Sequence, residues 1–533
     1  VISTVLIRDK DHKKEMGRSA SYKISPTQSV STRDEPWSTA KEAESEDEGT
    51  MVDGHFENKH GIHWIIVAIL IVGEMAGGGL VALPSSMVDA GIWAGAALTI
   101  ISAFASGYTG IQLGENWLMM QDRWTEYRHS CRKPYPEMAY RALGAWGRVF
   151  MSILMSVQQF CLSVVFLLLA SNNISSLLFD LFSIKLNFCF VALIVTVILL
   201  PLLMLGSPKD FWQAGLIAVI STSTAIVLIF VGAAHDQGEC MKYVEYPPVV
   251  FEKFFLAYGT IMFAYGGHAC FPTFQHDMKK PQDFSKSVIV GYIVIIIMYL
   301  PVSVYGYIVY GGSLTGGSII PSLQVNWVQT AVNILITLHV IFTEIIVMSP
   351  LTLTLEELFR IPNKFGIGRV ILRTIIMIAV LFMALSIPKF GPIVDLIGGS
   401  SVTLMTMILP GIFSLSLVAG KRKRDHKLLH GAVSRSEDDN ELPSILEVFK
   451  LNNPWLLILN FIIIAFGLFG GIASTISAVN ELISTSWDVP CYVQLFMGTL
   501  SFNADNGLVH CCGKYRNVTT VDVTGDFCAN PGF

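Results

Sequence analysis

Two apolar stretches of this chain are interrupted by glycines. Residues 65–84 read IIVAILIVGEMAGGGLVALP, and residues 258–272 read YGTIMFAYGGHACFP. Each glycine weakens a helix by about 1 kcal/mol relative to alanine, so several of them in a short stretch favour unwinding. Backbone that unwinds at membrane depth is tolerated only where it lines a cavity or is buried in protein. Both stretches are therefore predicted to be membrane helices that break near their middle.

The rest of the chain has the composition of a membrane protein. Of its 533 residues, 52% are hydrophobic and 14% are charged, whereas a soluble domain carries about 25% charged residues. A helix needs about 20 mostly apolar residues to cross the hydrocarbon core. Eleven segments of the chain meet that requirement, namely residues 62–83, 90–113, 149–180, 187–206, 212–234, 253–275, 287–310, 327–355, 371–390, 393–418 and 455–480. The predicted fold is an all-α membrane protein of eleven transmembrane helices.

The lysines and arginines assign an orientation to these helices. If the N-terminus lies in the cytosol, 30 of the 36 Lys and Arg residues fall in the tail and in the loops on its side. Positive residues concentrate on the cytosolic side, and an odd number of helices then places the C-terminus outside. We expect residues 1–60 to be a disordered cytosolic tail, 61–480 a transmembrane transporter domain and 481–533 an extracytosolic tail.

The chemistry of the C-terminal tail agrees with an extracytosolic location. It holds four of the nine cysteines and a glycosylation sequon at Asn517, and both disulfides and N-glycans belong on that side. The disulfide candidates are Cys240, Cys491, Cys511, Cys512 and Cys528. The remaining cysteines, Cys131, Cys161, Cys189 and Cys270, are predicted to be small core residues.

The two interrupted segments are the first and the sixth, so they occupy the same place in two successive halves. Interruptions at matching positions are the best sequence indication of a transporter's binding site. Freed N–H groups favour a carboxylate and freed C=O groups favour an ammonium, so a zwitterionic amino acid suits such a pair. Close packing of helices through small residues is the alternative interpretation. The predicted substrate-binding residues are Met75, Ala76, Gly77, Gly78, Gly79, Phe263, Ala264, Tyr265, Gly266 and Gly267.

Polar side chains at the interruptions are candidates for ion coupling. Glu74 and His268 lie at the two breaks, and ionisable groups at membrane depth are usually functional. Thr337 and Thr343 are candidate hydroxyl ligands for a sodium ion near the first break. The alternatives are a structural carboxyl, a neutral imidazole bonded to unwound backbone, and hydroxyls bonded to their own helix. His339 and Glu344 are five residues apart and are expected on different helix faces.

Several of these stretches look like family motifs. The similarity lies in the first segment ending at Leu83-Pro84, in Phe263 to His268 with Phe271-Pro272, Gln275, Asp277 to Pro281 and Phe284, in Leu338 to Ile341 with Met348 and Pro350, and in Ile387 to Gly391 with Gly398 to Ser400 and Leu409-Pro410. With these motifs the chain resembles the amino acid/auxin permease family over about residues 60–480. The resemblance implies a LeuT/APC-like inverted five-plus-five repeat with broken helices 1 and 6 and an extra helix 11. It also implies transport of amino acids coupled to protons or sodium ions.

The sequence thus predicts an ion-coupled secondary transporter of small or neutral amino acids that works by alternating access. Protons are favoured over sodium because Glu74 and His268 both lie at the breaks. An amino-acid-sensing receptor that uses the same pocket, and a channel, are the alternatives. No catalytic set, metal cluster or cofactor motif is evident, so we expect no enzyme and no cofactor besides the coupling ion. The expected partners of a monomer are its amino acid substrate and the lipid bilayer, without nucleic acid, in the plasma membrane or an endosomal or lysosomal membrane.

Overall fold

The computed structural model describes residues 50–52, 55–128, 131, 133–184, 186–204, 212–314, 317–362, 365–387, 390–431, 441–484, 489–497, 509–510, 512 and 519–520. Its helices are α1 Trp64–Met75, α2 Gly78–Ala90, α3 Ile92–Arg123, α4 Pro134–Leu143, α5 Ala145–Phe182, α6 Phe188–Leu203, α7 Trp212–Cys240, α8 Phe251–Ala264, α9 Phe271–His276, α10 Phe284–Tyr310, α11 Asn326–Leu358, α12 Ile367–Ser386, α13 Phe390–Ile397, α14 Leu409–Leu429, α15 Ile445–Leu451, α16 Pro454–Ser484 and α17 Cys491–Met497. Its strands are β1 Thr50–Val52, β2 His55–Glu57, β3 Val509–His510 and β4 Thr519–Thr520.

The described part of the chain is dominated by helices that could cross a membrane. Nine helical segments are long and apolar enough, and the pair α1 and α2 makes a tenth although it bends by 53°. Helix α6 has 16 residues and is therefore about 24 Å long, shorter than the hydrocarbon core of about 30 Å. A helical membrane protein is confirmed, whereas the count of eleven spanning helices stays a prediction.

Both predicted interruptions are present. Helix α1 ends at Met75 and α2 begins at Gly78. Helix α8 ends at Ala264, and α9 begins only at Phe271, after a single 3-10 turn. Each interruption coincides with the run of glycines that we identified in the sequence.

The broken helices lie in the interior because other helices surround them. Helix α2 packs against α8, α1 packs against α10 and α7, and α5 and α7 flank α11. A Cβ atom on Gly79 would be 2.6 Å from the Cα of Ala264, so α2 and α8 can approach this closely only through glycine. The two breaks therefore share one buried region between α5, α10 and α11.

One end of the bundle gathers segments that were predicted to be cytosolic. The backbone N–H of Ile62 donates to the carbonyl of Asp277 (2.9 Å), which ties the start of α1 to the loop after α9. Lys133, before α4, pairs with Glu357 at the end of α11 (3.0 Å). Loops that are predicted to lie on the same side of the membrane are therefore also in contact with each other.

The opposite end carries two disulfide bonds. Cys240, at the end of α7, is bonded to Cys512, and Cys189, at the start of α6, is bonded to Cys491 in α17. Cys189 is buried, as predicted, but its omission from the disulfide candidates is wrong, because this cysteine lies at a helix end where it meets the segment that follows α16. Cys511, Cys528 and the sequon at Asn517 lie outside the described residues.

Part of the segment that was predicted to be a disordered tail, residues 50–52 and 55–60, is described in the structure. Strands β1 and β2 pair in an antiparallel hairpin. The Phe56 side chain is buried, and the Glu57 carboxylate accepts a hydrogen bond from Gln282 Nε2 (3.0 Å). The prediction of disorder is wrong for residues 55–60, because Phe56 buries apolar surface and Glu57 binds a loop of the transmembrane domain.

Candidate functional site

The two breaks expose carbonyl groups that point at one hydroxyl. The Tyr299 hydroxyl, on α10, lies 2.5 Å from the carbonyl oxygen of Met75 and 3.0 Å from that of Ala264. These are the last residues of α1 and α8, where carbonyls have no partner within their own helix. The Gly77 N–H also donates to the Met75 carbonyl (2.9 Å). A phenol has one hydrogen to donate, so the Ala264 carbonyl lacks a donor whenever the phenol binds Met75. The pair of carbonyls is therefore suited to a ligand with several N–H donors.

The amino end of α2 lies beside these carbonyls. Helix α2 begins at Gly78, directly after Gly77, and has no side-chain cap at this end. The first N–H groups of a helix have no acceptor within the helix and carry partial positive charge. A carboxylate can bind at such an end. The interrupted region thus offers donors for an acid group and acceptors for an amine close together among buried residues.

The predicted substrate-binding residues lie together at these breaks. All ten belong to the ends of α1, α2 and α8 or to the turns between the half-helices, and only Gly266 is partly exposed. The two breaks also touch each other, since a Cβ on Gly267 would be 2.9 Å from the Met75 Cγ atom. The Tyr265 ring lies beside that of Tyr299 in a tilted arrangement, with ring centroids 5.5 Å apart. The buried Tyr265 hydroxyl has no hydrogen-bond partner among the described residues.

His339 packs directly on the first break. A Cβ on Gly77 would be 2.2 Å from the His339 Nε2 atom, so the imidazole leaves no space for a side chain there. Its Nδ1 atom lies 2.8 Å from Thr222 Oγ1 and 3.1 Å from the carbonyl of Ala218, both on α7. The sequence did not assign His339 to the break, because the signal is a contact between residues 262 positions apart.

Thr343 reaches the first break, whereas Thr337 makes no described contact with it. Thr343 Oγ1 lies 3.5 Å from the carbonyl of Gly73 and 3.2 Å from His339 Nε2. Thr337 is buried, and its hydroxyl has no hydrogen-bond partner among the described residues. The two threonines are six residues apart on α11, so their side chains point in directions that differ by about 120° around the helix axis.

Glu74 and His268 have different surroundings. Glu74 Oε1 accepts a hydrogen bond from the Cys270 thiol (3.5 Å), and its Oε2 atom has no partner in the described structure. His268 faces α3 instead, where Nε2 lies 3.1 Å from both the carbonyl of Ser106 and Thr109 Oγ1. The ring of His268 stacks on Phe271 (4.7 Å between centroids). The structure therefore brings Glu74 to the region between the breaks and turns His268 toward a neighbouring helix.

A further buried carboxyl was not among the predicted site residues. Asp395, in α13, accepts a hydrogen bond from the hydroxyl of Thr260 in α8. A Cβ on Gly259 would be 2.4 Å from the carbonyl of Asp395, so α13 lies directly on the first half of the second broken helix. Among the described residues, no cluster of three or more His, Cys, Asp or Glu residues could hold a metal ion.

A helical membrane protein with two broken helices whose freed backbone groups converge in its interior has the architecture of a secondary transporter. The solved structure of the Eremococcus coleocola manganese transporter shares this fold with the chain. The two are 12% identical with a TM-score of 0.51, and the match covers 81% of this chain and 89% of the other. At this identity the likeness concerns the fold alone.

The chain belongs to the family of transmembrane amino acid transporter proteins, whose family model matches residues 60–434. Two similar relatives are amino acid transporters AVT1B and AVT1C of Arabidopsis thaliana. AVT1B is 27% identical over 362 residues, which are 66% of this chain and 64% of the relative. AVT1C is 28% identical over 367 residues, 65% of this chain and 62% of the relative. The chain thus spans slightly less than two thirds of the length of these relatives.

Proposed function

We propose that this protein is a proton-coupled secondary transporter of small or neutral amino acids. The observation that carries the proposal is the convergence of the Met75 and Ala264 carbonyls on one Tyr299 hydroxyl, beside the uncapped amino end of α2. An α-ammonium group would replace the phenol as donor to the carbonyls, while the α-carboxylate would bind the amides at the start of α2. Family membership supports the same substrate class.

The close packing of the two breaks favours small substrates. Gly79 lies against Ala264, and Gly267 lies against Met75, at distances that leave no space for a larger residue. A substrate with a large side chain would have to displace these contacts. Glycine, alanine or serine would require the smallest rearrangement.

Alternating access would follow from the position of the site between two sets of helices. The broken helices pack on α10 on one side and reach α11 through Gly77 on the other. If α1, α2, α8 and α9 tilted against α5 and α11, the substrate would be exposed to one side of the membrane at a time. The intervening breaks would act as the hinge of that motion.

Glu74 supports protons as the coupling ion, because a buried carboxyl can take up and release a proton within the transport cycle. Thr343 supports the sodium alternative, since its hydroxyl lies 3.5 Å from the freed carbonyl of Gly73 and such oxygens can coordinate sodium. His268 is bonded to α3 and contributes less to either proposal.

The two disulfides support the proposed orientation. Cys189–Cys491 and Cys240–Cys512 lie at the end of the bundle that receives the C-terminal segment. Disulfides persist in extracytosolic compartments, so this end would face the cell exterior or an organelle lumen. The N-terminal hairpin would then be cytosolic, in a plasma membrane or in an endosomal or lysosomal membrane.

Uptake by the purified full chain in lipid vesicles tests the proposal. Radiolabelled glycine, alanine, serine and larger amino acids are supplied with an imposed proton gradient, with an imposed sodium gradient, or with neither. The proposal predicts accumulation of the small amino acids that depends on the proton gradient. Binding of an amino acid without accumulation would favour the sensing receptor. Uptake that depends on the sodium gradient alone would show that sodium, and not the proton, is the coupling ion.

A further inference from the structure

Glu344 is a second buried carboxyl beside Glu74. It lies in α11, and 1% of its surface is exposed. The residue before it, Thr343, has its Oγ1 atom 3.5 Å from the carbonyl of Gly73, and Gly73 precedes Glu74 in α1. The two glutamates therefore lie where α11 and α1 meet. The sequence predicts that Glu344 and His339 lie on different faces of their helix. In the structure both residues are buried, and His339 packs on Gly77.

The described side chains that surround the two carboxyls are polar and include no lysine or arginine. Helix α5 contributes Gln159, whose Nε2 atom lies 3.1 Å from the carbonyl of Val347 and 4.0 Å from the Cys270 sulfur. The Cys270 thiol in turn donates to Glu74 Oε1. The titratable groups of the described residues at this cluster are Glu74 from α1, Glu344 from α11 and Cys270 from the second break. The His339 imidazole lies beyond Thr343, 3.2 Å from its hydroxyl, and α5 presents Gln159 and Ser163.

Three buried acceptor atoms in this cluster have no hydrogen-bond partner among the described residues. They are Glu74 Oε2, Glu344 Oε2 and Gln159 Oε1, and the Ser163 hydroxyl, which can donate one hydrogen bond, is likewise without a described partner. Buried polar atoms are almost always partnered, so a group of orphan acceptors indicates a donor or cation that binds there. Two carboxylates in one buried site cannot both be ionised without a compensating charge. A proton on one carboxyl supplies both the missing donor and the missing charge.

We propose that Glu74 and Glu344 together hold the transported proton, with Glu344 as the second coupling residue. This inference rests on the proposed proton-coupled transport. The step is the protonation of one carboxylate of the pair to a carboxylic acid and its reversal, with no other bond made or broken. Glu74 belongs to a broken helix and Glu344 to the continuous α11, so a tilt of α1 changes their separation. The proton is bound when the carboxyls are close and released when they part.

The test compares Glu344→Gln with wild type in proteoliposomes. The full chain is reconstituted with a pH-sensitive dye inside the vesicles, and uptake of labelled alanine is measured under a gradient of one pH unit. With one proton per substrate, wild type accumulates alanine about tenfold, because one pH unit corresponds to a tenfold ratio. Glu344→Gln is expected to bind alanine but to lose both the accumulation and the dye signal.

Glu357→Gln is the matched control. Glu357 lies on the same helix, but its side chain is half exposed and pairs with Lys133 at the bundle end. This variant should accumulate alanine as wild type does. Glu344→Asp, which keeps the carboxyl, should retain part of the proton dependence and serves if the glutamine variant does not fold. Wild-type accumulation by Glu344→Gln would overturn the inference, as would sodium-driven uptake that this substitution abolishes.

Infrared spectroscopy tests the pair without transport. In a difference spectrum at neutral pH between wild type and the double variant Glu74→Gln, Glu344→Gln, the inference predicts a C=O stretching band of a protonated carboxyl. The Glu357→Gln difference spectrum should lack it. If wild type transports no amino acid, the proposed function fails while this band still supports the pair. If the band is absent, the proposal that Glu74 and Glu344 hold the proton is wrong, even where transport is observed.

Discussion

The residue type at the first break is determined by a contact with a distant part of the chain. Gly77 has no side chain because the His339 imidazole occupies the volume that a Cβ would need. The imidazole is held in turn by Thr222 and Thr343. Glycine runs are common in membrane helices, but here the requirement comes from one contact between α11 and the break.

We predict that Gly77→Ala destabilises the protein and reduces transport. The added methyl group would lie 2.2 Å from His339 Nε2, and overpacking of this kind costs about 1–3 kcal/mol. The unfolding midpoint in detergent and the alanine uptake rate are the measurements.

Gly238→Ala is the control for this substitution. Gly238 lies in α7, and a Cβ there would meet no atom within 4 Å, so the variant should be neutral or up to about 1 kcal/mol more stable. Combining Gly77→Ala with His339→Ala should restore part of the loss. Equal effects of Gly77→Ala with and without His339 would contradict the proposed contact.

Among the elements, helix α10 joins the two broken helices. Its Tyr299 hydroxyl lies between the last carbonyls of α1 and α8. We predict that Tyr299→Phe lowers thermal stability, since leaving buried acceptors without this donor costs about 1–3 kcal/mol. The affinity of the Tyr299→Phe variant for alanine should change as well, because the carbonyls of Met75 and Ala264 belong to the proposed site. Both are measured by thermal unfolding with and without alanine.

Tyr305→Phe is the control on the same helix. The Tyr305 hydroxyl donates to Gln237 in an exposed position (3.1 Å), so the variant should retain both stability and affinity. A Tyr299→Phe variant with wild-type affinity and stability would contradict the role that we assign to the hydroxyl.

Helices α11 and α12 are joined by buried charges. Glu356 of α11 pairs with Arg369 and Arg373 of α12 (3.1 and 2.8 Å), and Arg373 also donates to the carbonyl of Leu203 at the end of α6. Glu356→Gln should destabilise the protein by about 3–5 kcal/mol, because it leaves buried arginine charge uncompensated. The loss is measured as a lower unfolding midpoint.

The neighbouring substitution Glu357→Gln distinguishes the effect of burying an ion pair from the effect of removing a carboxylate. It removes a carboxylate that is half exposed and pairs with Lys133, for which the expected cost is about 0–1 kcal/mol. Equal destabilisation by the two substitutions would show that burial of the ion pair is not the cause.

The sequence predicted the elements better than their contacts. Glycine runs located both breaks, since the loss of helix stability is a local property. The contacts of Gly77 with His339, of Glu74 with Cys270 and of Tyr299 with two carbonyls join distant parts of the chain. No local pattern encodes them. The pairing of Cys189 with Cys491 was missed for the same reason, because an apolar neighbourhood describes a helix end in a membrane as well as a helix centre.

For the whole molecule, the disulfides attach the C-terminal segment to the helical domain. We predict that non-reducing peptide mapping will recover Cys189 linked to Cys491 and Cys240 linked to Cys512. Cys131, Cys161 and Cys270, which are free in the described structure, should be alkylated after denaturation. A bond between Cys491 and another cysteine of the tail would contradict this arrangement.

The central claim is that an amino acid binds between the two broken helices. The most direct test is a cryo-electron microscopy structure of the full chain with a saturating concentration of alanine. The account predicts density for alanine with its ammonium group at the carbonyls of Met75 and Ala264 and its carboxylate at the start of α2, with the Tyr299 hydroxyl displaced. Density for alanine elsewhere in the molecule, with the Tyr299 contacts intact, would contradict it.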